Sequence, residues 1–430
     1  MMMDPAKRKP GDEASPYRPG LVAALDIGTS KVACLIARVE PASLRVLGAA
    51  LRESRGLRSG TVVNLPEAEE AIAECVDAAE SMADVDVQNV LISVNCGGPV
   101  NLSAKVAMNV GGVLISDAHL RPLLAEARAR CAAEDYETIQ SAPRGYTVDD
   151  AAGVRNPSGM YCQHLEVAMH AVAVRRSTLA NLKLAVENRH LQISGAMFSA
   201  YASGLSVLTP DEMQLGATVI DMGGGTTSIA VFMDGGLVFV DVVPLGGVHV
   251  TGDLARMLGV PMSEAERAKV LYGAALGDLE TGAPEADEVL LRQLGEESEE
   301  NTVKVQRSML TRIIQARLDE IFGEVQARLR NDGFDVVAGR QAVLTGGASQ
   351  LAGVRELASR ALNKQVRLGR PSGFPGLPES AAGPGYACAA GLVMAGATLP
   401  PEFLNPEMSP LSPSTDTKSW LFRLTGGLLG

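Results

Sequence analysis

Two widely separated segments of the chain share one pattern: an apolar strand that ends at an aspartate, a turn of small residues, and a second apolar strand. They are ALDIGTSKVACLI at 24–36 and VIDMGGGTTSIAVF at 219–232. Each segment predicts a hairpin of strand, tight turn and strand. An internal duplication is the simplest explanation of the likeness. The sequence therefore predicts two related α/β halves that flank a cleft.

The turns of both hairpins have a composition that suits phosphate. An oxyanion can approach their backbone N–H groups closely because small residues place little or no side chain in the way. A third turn of this kind, TGGAS at 345–349, follows the apolar strand at 342–344. One such turn alone is explained equally well as an ordinary turn with an aspartate cap, since glycine motifs have many false positives. The three turns together predict a nucleotide site.

Two carboxylates and several donors belong to these turns. Asp26 and Asp221 each lie near the end of the first strand of a hairpin, and we expect them to face each other across the cleft. Two such carboxylates can hold the hydration shell of Mg²⁺, which keeps several waters and takes few protein ligands. The turns also supply hydroxyl donors and a cation for the β- or γ-phosphate of ATP: Thr29, Ser30, Thr226, Thr227 and Lys31.

Composition excludes several other classes of protein. With 46% hydrophobic and 20% charged residues the chain is globular, and its net charge of −12 argues against broad nucleic-acid binding. The six cysteines have no CxxC spacing, which indicates reduced, buried thiols of a cytoplasmic protein rather than a zinc site. We expect residues 1–20 to be a disordered leader, since they contain no apolar core of an export signal, and no apolar run is long enough to span a membrane.

The rest of the chain predicts a larger organisation around the hairpins. Apolar periodicity indicates helices at 66–82, 116–133 and 310–329. The segment 89–176 predicts a separate small α+β module. The segment 277–301 is strongly acidic and predicts a solvated loop or helix surface.

These motifs resemble those of a known family. The three turns are similar to the phosphate-1, phosphate-2 and adenosine motifs of the actin and sugar-kinase superfamily, and residues 21 to about 397 resemble its bacterial cell-division branch, the FtsA family. Three further segments are similar to ones particular to that family: SRGLRSGTVVNL at 54–65, VRNPSGM at 154–160 and SEAERAKVLYG at 263–273.

The resemblance implies an actin-like (ribonuclease H-like) duplicated α/β fold, with two lobes around a nucleotide cleft and a small inserted α+β subdomain called 1C. The implied parts are the leader 1–20, subdomain IA at 21–88 and 177–215, 1C at 89–176, IIA at 216–250 and 335–399, IIB at 251–334, a linker at 400–416 and a terminal amphipathic helix at 417–430.

The resemblance also implies the residues that bind ATP. The phosphates would be held by Asp26, Gly28, Thr29, Ser30 and Lys31 from one half and by Asp221, Gly223, Gly224, Gly225 and Thr226 from the other. The adenosine would face Gly346, Gly347 and Ala348. Glu266 and Lys269 match the family's ExxK pair, which reaches the nucleoside; their alternative interpretation is an exposed helical ion pair.

The C-terminal segment resembles the family's membrane-targeting helix. On a helix, an interfacial tryptophan, leucines and a cation would form an amphipathic face suited to a lipid surface: Trp420, Leu421, Phe422, Arg423, Leu424 and Leu428. Gly426 and Gly427 interrupt this helix, at a cost of about 1 kcal/mol each. A tail that docks on the protein itself or on a neighbour is the alternative.

The implied function is that of an ATP-binding, polymerising adaptor with at most slow ATP hydrolysis. It would anchor filaments of FtsZ to the cytoplasmic face of the inner membrane at the division site, with the FtsZ C-terminal peptide on IIB and later division proteins on 1C. Arg307, Arg312 and Arg317 are candidate peptide contacts, and an ordinary solvated helix face is the alternative interpretation of each. The alternatives are an actin-like ATPase of type IV pilus assembly and a small-molecule kinase of the same superfamily.

Overall fold

The computed structural model describes residues 18–41, 43–277, 288–294, 302–372 and 377–405. The leader up to residue 17, most of the acidic segment 277–301 and all of the predicted membrane-contacting residues, Trp420 to Leu428, lie outside these ranges.

The first half is built around a five-stranded sheet. Its elements are β1 (Gly20–Ile27), β2 (Lys31–Glu40), β3 (Ser43–Glu53), the short β4 (Leu57–Arg58) and β5 (Thr61–Val62), α1 (Leu65–Ala83) and β6 (Asn89–Val94). An insertion follows, with β7 (Val100–Leu114), α2 (Asp117–Arg130), β8 (Tyr136–Val148), β9 (Ala151–Val154) and β10 (Tyr161–Arg175). The half is completed by α3 (Arg176–Glu187), β11 (Gln192–Phe198), α4 (Ser199–Val207) and α5 (Pro210–Leu215).

The second half repeats this plan without that insertion. It contains β12 (Ala217–Met222), β13 (Thr227–Met233), β14 (Gly236–Val243), α6 (Gly247–Leu258), α7 (Met262–Tyr272), β15 (Glu288–Arg292) and β16 (Thr302–Gln306). It continues through α8 (Arg307–Asn331), α9 (Phe334–Val337), β17 (Gln341–Thr345), α10 (Val354–Leu362) and β18 (Gln365–Leu368). The helices α11 (Ala387–Thr398) and α12 (Pro401–Leu404) end the described chain.

The two main sheets have the same topology. The first has the order β11-β6-β1-β2-β3 and the second the order β18-β17-β12-β13-β14. In each, the first strand of the hairpin pairs antiparallel with the second and parallel with a later strand of the same half. The predicted duplication is confirmed, and the inserted α+β unit completes the expected actin-like fold.

One strand lies in a different place from that predicted. The sequence predicts that residues from 89 onward belong to the insertion, but Asn89–Val94 pairs in parallel with β1 in the first main sheet. The sheet of the insertion, β7-β10-β8-β9, begins only at Val100. The apolar run of β6 is continuous in sequence with the insertion, and its partner strand is distant along the chain, so local pattern alone did not separate them.

Buried side chains follow the predicted periodicities. Helix α1 buries Ala68, Ile72, Cys75, Val76 and Ala79, as its spacing predicts. Helix α8 buries an apolar stripe that spans most of its length: Leu310, Ile314, Leu318, Ile321, Val325 and Leu329. The insertion has a hydrophobic core of its own between α2 and its sheet.

Two helices cross between the halves. Helix α11, from the end of the chain, packs on the first sheet, and α4, from the first half, packs on the second sheet. They approach so closely that a Cβ on Gly391 would lie 1.6 Å from the carbonyl oxygen of Ala202. Any movement of one half against the other must therefore be accommodated at this tight crossing.

Two further expectations concern the whole described chain. All six cysteines are free and buried, as predicted. Within the described ranges, no helix has both the length and the apolar character needed to cross a lipid bilayer.

Candidate functional site

The turns of the two hairpins have the same backbone geometry. In the first turn the amide of Gly28 donates to the carbonyl oxygen of Lys31 at 3.0 Å, and in the second the amide of Gly223 donates to that of Thr226 at 2.9 Å. A Cβ on either glycine would lie 3.0 Å from that same carbonyl oxygen. The duplication thus extends to the turn itself, and both turns leave little room for a Cβ at the same position.

The two turns meet face to face. A Cβ on Gly224 would lie 2.4 Å from the hydroxyl oxygen of Ser30, and a Cβ on Gly225 would lie 2.4 Å from that of Thr29. Contacts this close are possible only because the second turn carries no side chain there. The glycines of one half therefore let the hydroxyl-bearing turn of the other half approach its backbone.

The third turn contacts the aspartate of the second hairpin. Gly346 has a φ of +85°, and a Cβ there would lie 2.3 Å from Oδ1 of Asp221. Its amide donates to the carbonyl oxygen of Pro384 at 3.2 Å. The three turns surround one narrow cleft, whose lining contains most of the predicted phosphate and adenosine residues: Asp26, Gly28, Thr29, Ser30, Lys31, Asp221, Gly223, Gly224, Gly225, Thr226, Gly346 and Gly347.

The two aspartates come from opposite halves and each is held by a serine. Asp26 accepts a hydrogen bond from Ser93 Oγ at 2.8 Å, and Asp221 accepts one from Ser203 Oγ at 2.6 Å. Burial raises the pKa of Asp221 to about 6; the negative charge of Asp26 also raises it, while the Ser203 bond and the charge of Lys31 lower it. The carboxylates are thus close enough to repel each other.

This pair fits a divalent cation bound mainly through water and phosphate. A cation between the carboxylates would remove their repulsion, and Mg²⁺ commonly takes only one or two protein carboxylates. In the described part of the chain no group of three or more His, Cys, Asp or Glu side chains could form a metal cage. Any ion here would need oxygens from a ligand or from water to complete its coordination.

Lys31 reaches from the first half to the second. Its ammonium group donates to the carbonyl oxygen of Gly385, in the loop before α11. A Cβ on Gly385 would lie 2.8 Å from that ammonium nitrogen. The predicted phosphate cation therefore lies in the cleft and bridges its two walls.

Glu266 and Lys269 form a helical ion pair in which Lys269 is buried and Glu266 is exposed. Lys269 is 9% exposed, and its Nζ donates to Glu266 Oε2 at 2.7 Å, Thr251 Oγ1 at 2.9 Å and the Gly247 carbonyl at 3.2 Å. A Cβ on Gly247 would lie 3.3 Å from Cβ of Ala348. The structure therefore places the ExxK lysine close to the third turn, although Glu266, Lys269 and Ala348 do not line the narrow cleft itself.

Several lining residues were not identified from sequence. They are Asn95, Ser199, Ser228, Pro384, Gly385 and Cys388, to which the supporting Ser93 and Ser203 are added. Most come from strand ends and helix starts remote from the turns. The sequence Gly383-Pro384-Gly385 before the small-residue helix α11 was the one available signal.

Comparison with known sequences gives consistent matches. The family model described as "Cell division protein FtsA" matches residues 218–391, and the one described as "SHS2 domain inserted in FTSA" matches residues 98–173. The chain is 39% identical over 391 residues to "Cell division protein FtsA" of Agrobacterium fabrum, covering 88% of each. It is 31% identical over 382 residues to the protein of the same name from Escherichia coli K12, covering 87% of this chain and 89% of that one.

Comparison with solved structures agrees at the level of fold. A chain from the "PilM-PilN type IV pilus biogenesis complex" superimposes with a TM-score of 0.62 over 89% of this chain and 99% of that chain. The sequence identity of 18% means that this likeness concerns the fold alone.

Proposed function

The chain belongs to the FtsA family of cell division proteins, and from this premise we propose that it binds ATP with Mg²⁺ between its halves and, as a polymer, anchors FtsZ filaments to the inner membrane. The proposal that ATP binds here rests on the two matched turns, which line one cleft from opposite sides. Each turn has a carboxylate at the end of its first strand. The adaptor part follows from family membership and from a groove on the second half.

The proposed roles in the nucleotide site follow from the chemistry of each turn. Backbone amides of the second turn and hydroxyls of Thr29 and Ser30 bind phosphate oxygens from opposite sides, and Lys31 neutralises their charge. Asp26 and Asp221 hold water molecules of the Mg²⁺ shell. The bound ion supplies charge neutralisation between the phosphates and the two carboxylates.

Nucleotide binding must change the cleft. Because the turns are in contact, with no room for a Cβ between Gly224 and Ser30, a triphosphate between them requires the two halves to separate. Binding would then select a more open arrangement, and the differential affinity for the two arrangements sets how far the population shifts. This offers a route by which ATP controls the surface available for polymerisation.

The proposed site for the acidic FtsZ peptide is a groove between α6 and α8. Its lining combines apolar side chains of Met257, Met309 and Ile313 with the exposed cation Arg312. The two carboxylates of the lining, Asp253 and Glu320, both pair with Arg317. Two of the three predicted arginines already have internal roles. Arg317 binds Asp253 through two bonds, at 2.6 and 3.1 Å, and Arg307 donates to the Tyr272 carbonyl at 3.0 Å. Arg312 is therefore the best candidate for a peptide carboxylate.

The proposed membrane contact is the segment 418–430, with Trp420, Leu421, Phe422, Arg423, Leu424 and Leu428 inserting into the lipid surface. Two cations, Lys418 and Arg423, add roughly 1 kcal/mol each toward anionic lipid. One copy would bind weakly, and a polymer that presents many copies would bind strongly. Polymer contacts and recruitment of later division proteins are assigned to the insertion on the same grounds of family membership.

Sedimentation with vesicles tests the adaptor function. Full-length protein and a variant lacking 418–430 are mixed with vesicles that contain anionic lipid, with and without ATP, Mg²⁺ and FtsZ. We expect the full-length protein to sediment and to carry FtsZ with it, and the truncated variant to stay in solution. Full-length protein that remains in the supernatant under every condition would contradict the membrane anchor.

A matched pair of arginine variants tests the groove. Arg312→Glu should weaken binding of the FtsZ C-terminal peptide at least tenfold, measured by fluorescence anisotropy. Arg330→Glu, at the other end of α8, is the control and should bind like the wild type, since its ion pair with Asp335 is long at 3.9 Å and exposed. Equal affinities of the two variants would place the peptide elsewhere.

A further inference from the structure

A cavity of about 240 Å³ opens beside the nucleotide cleft, between the β4–β5 hairpin of the first half and helix α6 of the second. We call it the mouth cavity; its lining includes Thr29, Arg58, Ser59, Gly225, His249 and Arg256. Thr29 and Gly225, one residue from each hairpin turn, line both the mouth cavity and the nucleotide cleft. Gly346 and Gly347 of the third turn line only the cleft. The mouth cavity therefore adjoins the two hairpin turns on a side that the third turn does not line.

The β4–β5 hairpin is fixed to the first turn. The amide of Gly60 donates to Thr29 Oγ1 at 2.9 Å. Gly60 has a φ of +76°, and a Cβ there would lie 2.4 Å from Oδ1 of Asn95. Because the Thr29 oxygen accepts the amide bond, its own proton is left to donate to a ligand. Arg58, which pairs with Thr61 across this hairpin, is thus held beside the first turn.

The mouth cavity has more positive than negative charge. Its charged lining residues are three arginines and one carboxylate: Arg58, Arg256, Arg317 and Asp253. Arg317 binds Asp253, at 2.6 and 3.1 Å, and also Glu320. Arg256 reaches the same Asp253 at 3.4 Å. Within the described ranges, the exposed Arg58 has neither a hydrogen-bond partner nor an ion-pair partner. Its guanidinium donors are therefore available to an anion in the cavity.

The charge of Arg58 acts on the opposite wall of the mouth cavity. His249 of α6 lines that wall. Burial and the charge of Arg317 are the larger causes that lower the pKa of His249, and the charge of Arg58 adds to them. The two walls are therefore close enough for charges on one to affect groups on the other. A cleft lined mainly by one sign of charge attracts a ligand of the opposite sign more strongly than an open surface does.

We propose that Arg58 binds the terminal phosphate of ATP and gives the site a preference for ATP over ADP. This inference rests on the proposed nucleotide site. With the nucleoside at the third turn and the phosphates between the hairpin turns, the terminal phosphate is the group nearest the mouth cavity. It accepts hydrogen bonds from the Thr29 hydroxyl and from the guanidinium group of Arg58, whose planar array of donors matches phosphate oxygens. ADP lacks this phosphate and leaves Arg58 unpaired.

Equilibrium dialysis of the full-length protein with labelled ATP or labelled ADP, each with Mg²⁺, tests the proposal. We expect Arg58→Gln to weaken ATP binding about tenfold, as for the loss of one hydrogen-bonded charge, and to change ADP binding by less than about twofold. Arg55→Gln, just before β4, is the matched control. Arg55 is exposed and pairs with Glu70 and Glu74 of α1, so this variant should bind both nucleotides like the wild type.

The two nucleotides together decide the outcome. Equal losses of ATP and ADP affinity in Arg58→Gln, or no loss of either, would overturn the role of Arg58 while the nucleotide site itself stands. A wild type that binds neither nucleotide would overturn the nucleotide site and this inference with it.

The salt dependence of binding separates a phosphate contact from a general disturbance of the cleft. Added KCl should lower the ratio of ATP affinity to ADP affinity in the wild type more than in Arg58→Gln, because salt screens the exposed guanidinium group. Arg58→Lys keeps the positive charge and should retain part of the preference for ATP. The same salt dependence in the wild type and Arg58→Gln, or an Arg58→Lys variant that prefers ATP no more than Arg58→Gln does, would contradict the contact.

Discussion

The two hairpin turns have the same backbone geometry but contribute different chemical groups to the cleft. Both close with the same glycine-to-carbonyl hydrogen bond, and a serine holds the aspartate of each. The first turn carries the side chains, two hydroxyls and the ammonium group of Lys31. The second carries glycines, and the first amides of α6, Gly247 and Val248, donate to its carbonyl oxygens. The two turns thus have the same backbone geometry and a carboxylate each, and the second has glycines where the side chains of the first approach it.

The largest expected effect comes from the third turn, where Gly346 lies against Asp221 of the second hairpin. Gly346→Ala should lower the free energy of unfolding by about 3 kcal/mol or more, because a left-handed backbone and contacts of 2.3 Å to Asp221 Oδ1 and 2.6 Å to the Met222 carbonyl both oppose a Cβ. Gly347→Ala is the matched control, since a Cβ there meets nothing within 4 Å. Urea unfolding measures the stability of both variants. Equal stabilities of Gly346→Ala and Gly347→Ala would show that Gly346 is not in tight contact with Asp221.

The second-largest expected effect is a difference in stability between variants of the two carboxylates. Without nucleotide at pH 7, Asp221→Asn should raise the free energy of unfolding by about 2 kcal/mol, because burial raises the pKa of Asp221 to about 6 and the ionised carboxylate is therefore unfavourable in the folded state. The amide oxygen can still accept the bond from Ser203. Asp26→Asn should stabilise less, since it removes only the repulsion that Asp26 exerts on Asp221. Thermal unfolding measures both stabilities. If Asp221→Asn is the less stable variant, the predicted order of the two carboxylates is wrong.

A third comparison uses residues at the same position of the two turns, Lys31 and Thr226. Lys31→Gln should weaken binding of ATP in the presence of Mg²⁺ about tenfold, as expected for one charge-assisted phosphate contact. Thr226→Ser keeps its hydroxyl and should bind within about twofold of the wild type. Equilibrium dialysis with labelled ATP measures both affinities. Equal losses of ATP affinity in the two variants would mean that Lys31 makes no phosphate contact that Thr226 lacks.

The smallest effect concerns the supporting serines. Ser203→Ala removes one bond to Asp221, whereas Ser93→Ala removes the bond to Asp26 and also the acceptor of the Ile27 amide, 3.0 Å away. Ser93→Ala should therefore be the less stable of the two by about 1 kcal/mol. Differential scanning calorimetry resolves this difference, and the reverse order would contradict the assigned bonds.

Sequence was sufficient for the features that are local in the chain. The hairpins, their glycines, the strand-end aspartates and the helices α1 and α8 follow from patterns within about 25 residues. Ser93, Ser203, Gly385 and Cys388 could not be predicted, because they reach the cleft from strands, helices and loops whose partners are distant in sequence. The same limit explains the strand Asn89–Val94, whose place is fixed by parallel pairing with β1 rather than by its neighbours in sequence.

A calorimetric titration with ATP and Mg²⁺ tests the central claim that the two turns hold one nucleotide between them. The titration compares the wild type with Asp26→Asn, Asp221→Asn and the double variant. We predict one ATP per chain, a loss of about 10–100-fold in each single variant, and a loss in the double variant smaller than the sum of the two free-energy changes, because both carboxylates hold the same ion. Strictly additive losses, or single variants that bind like the wild type, would contradict it.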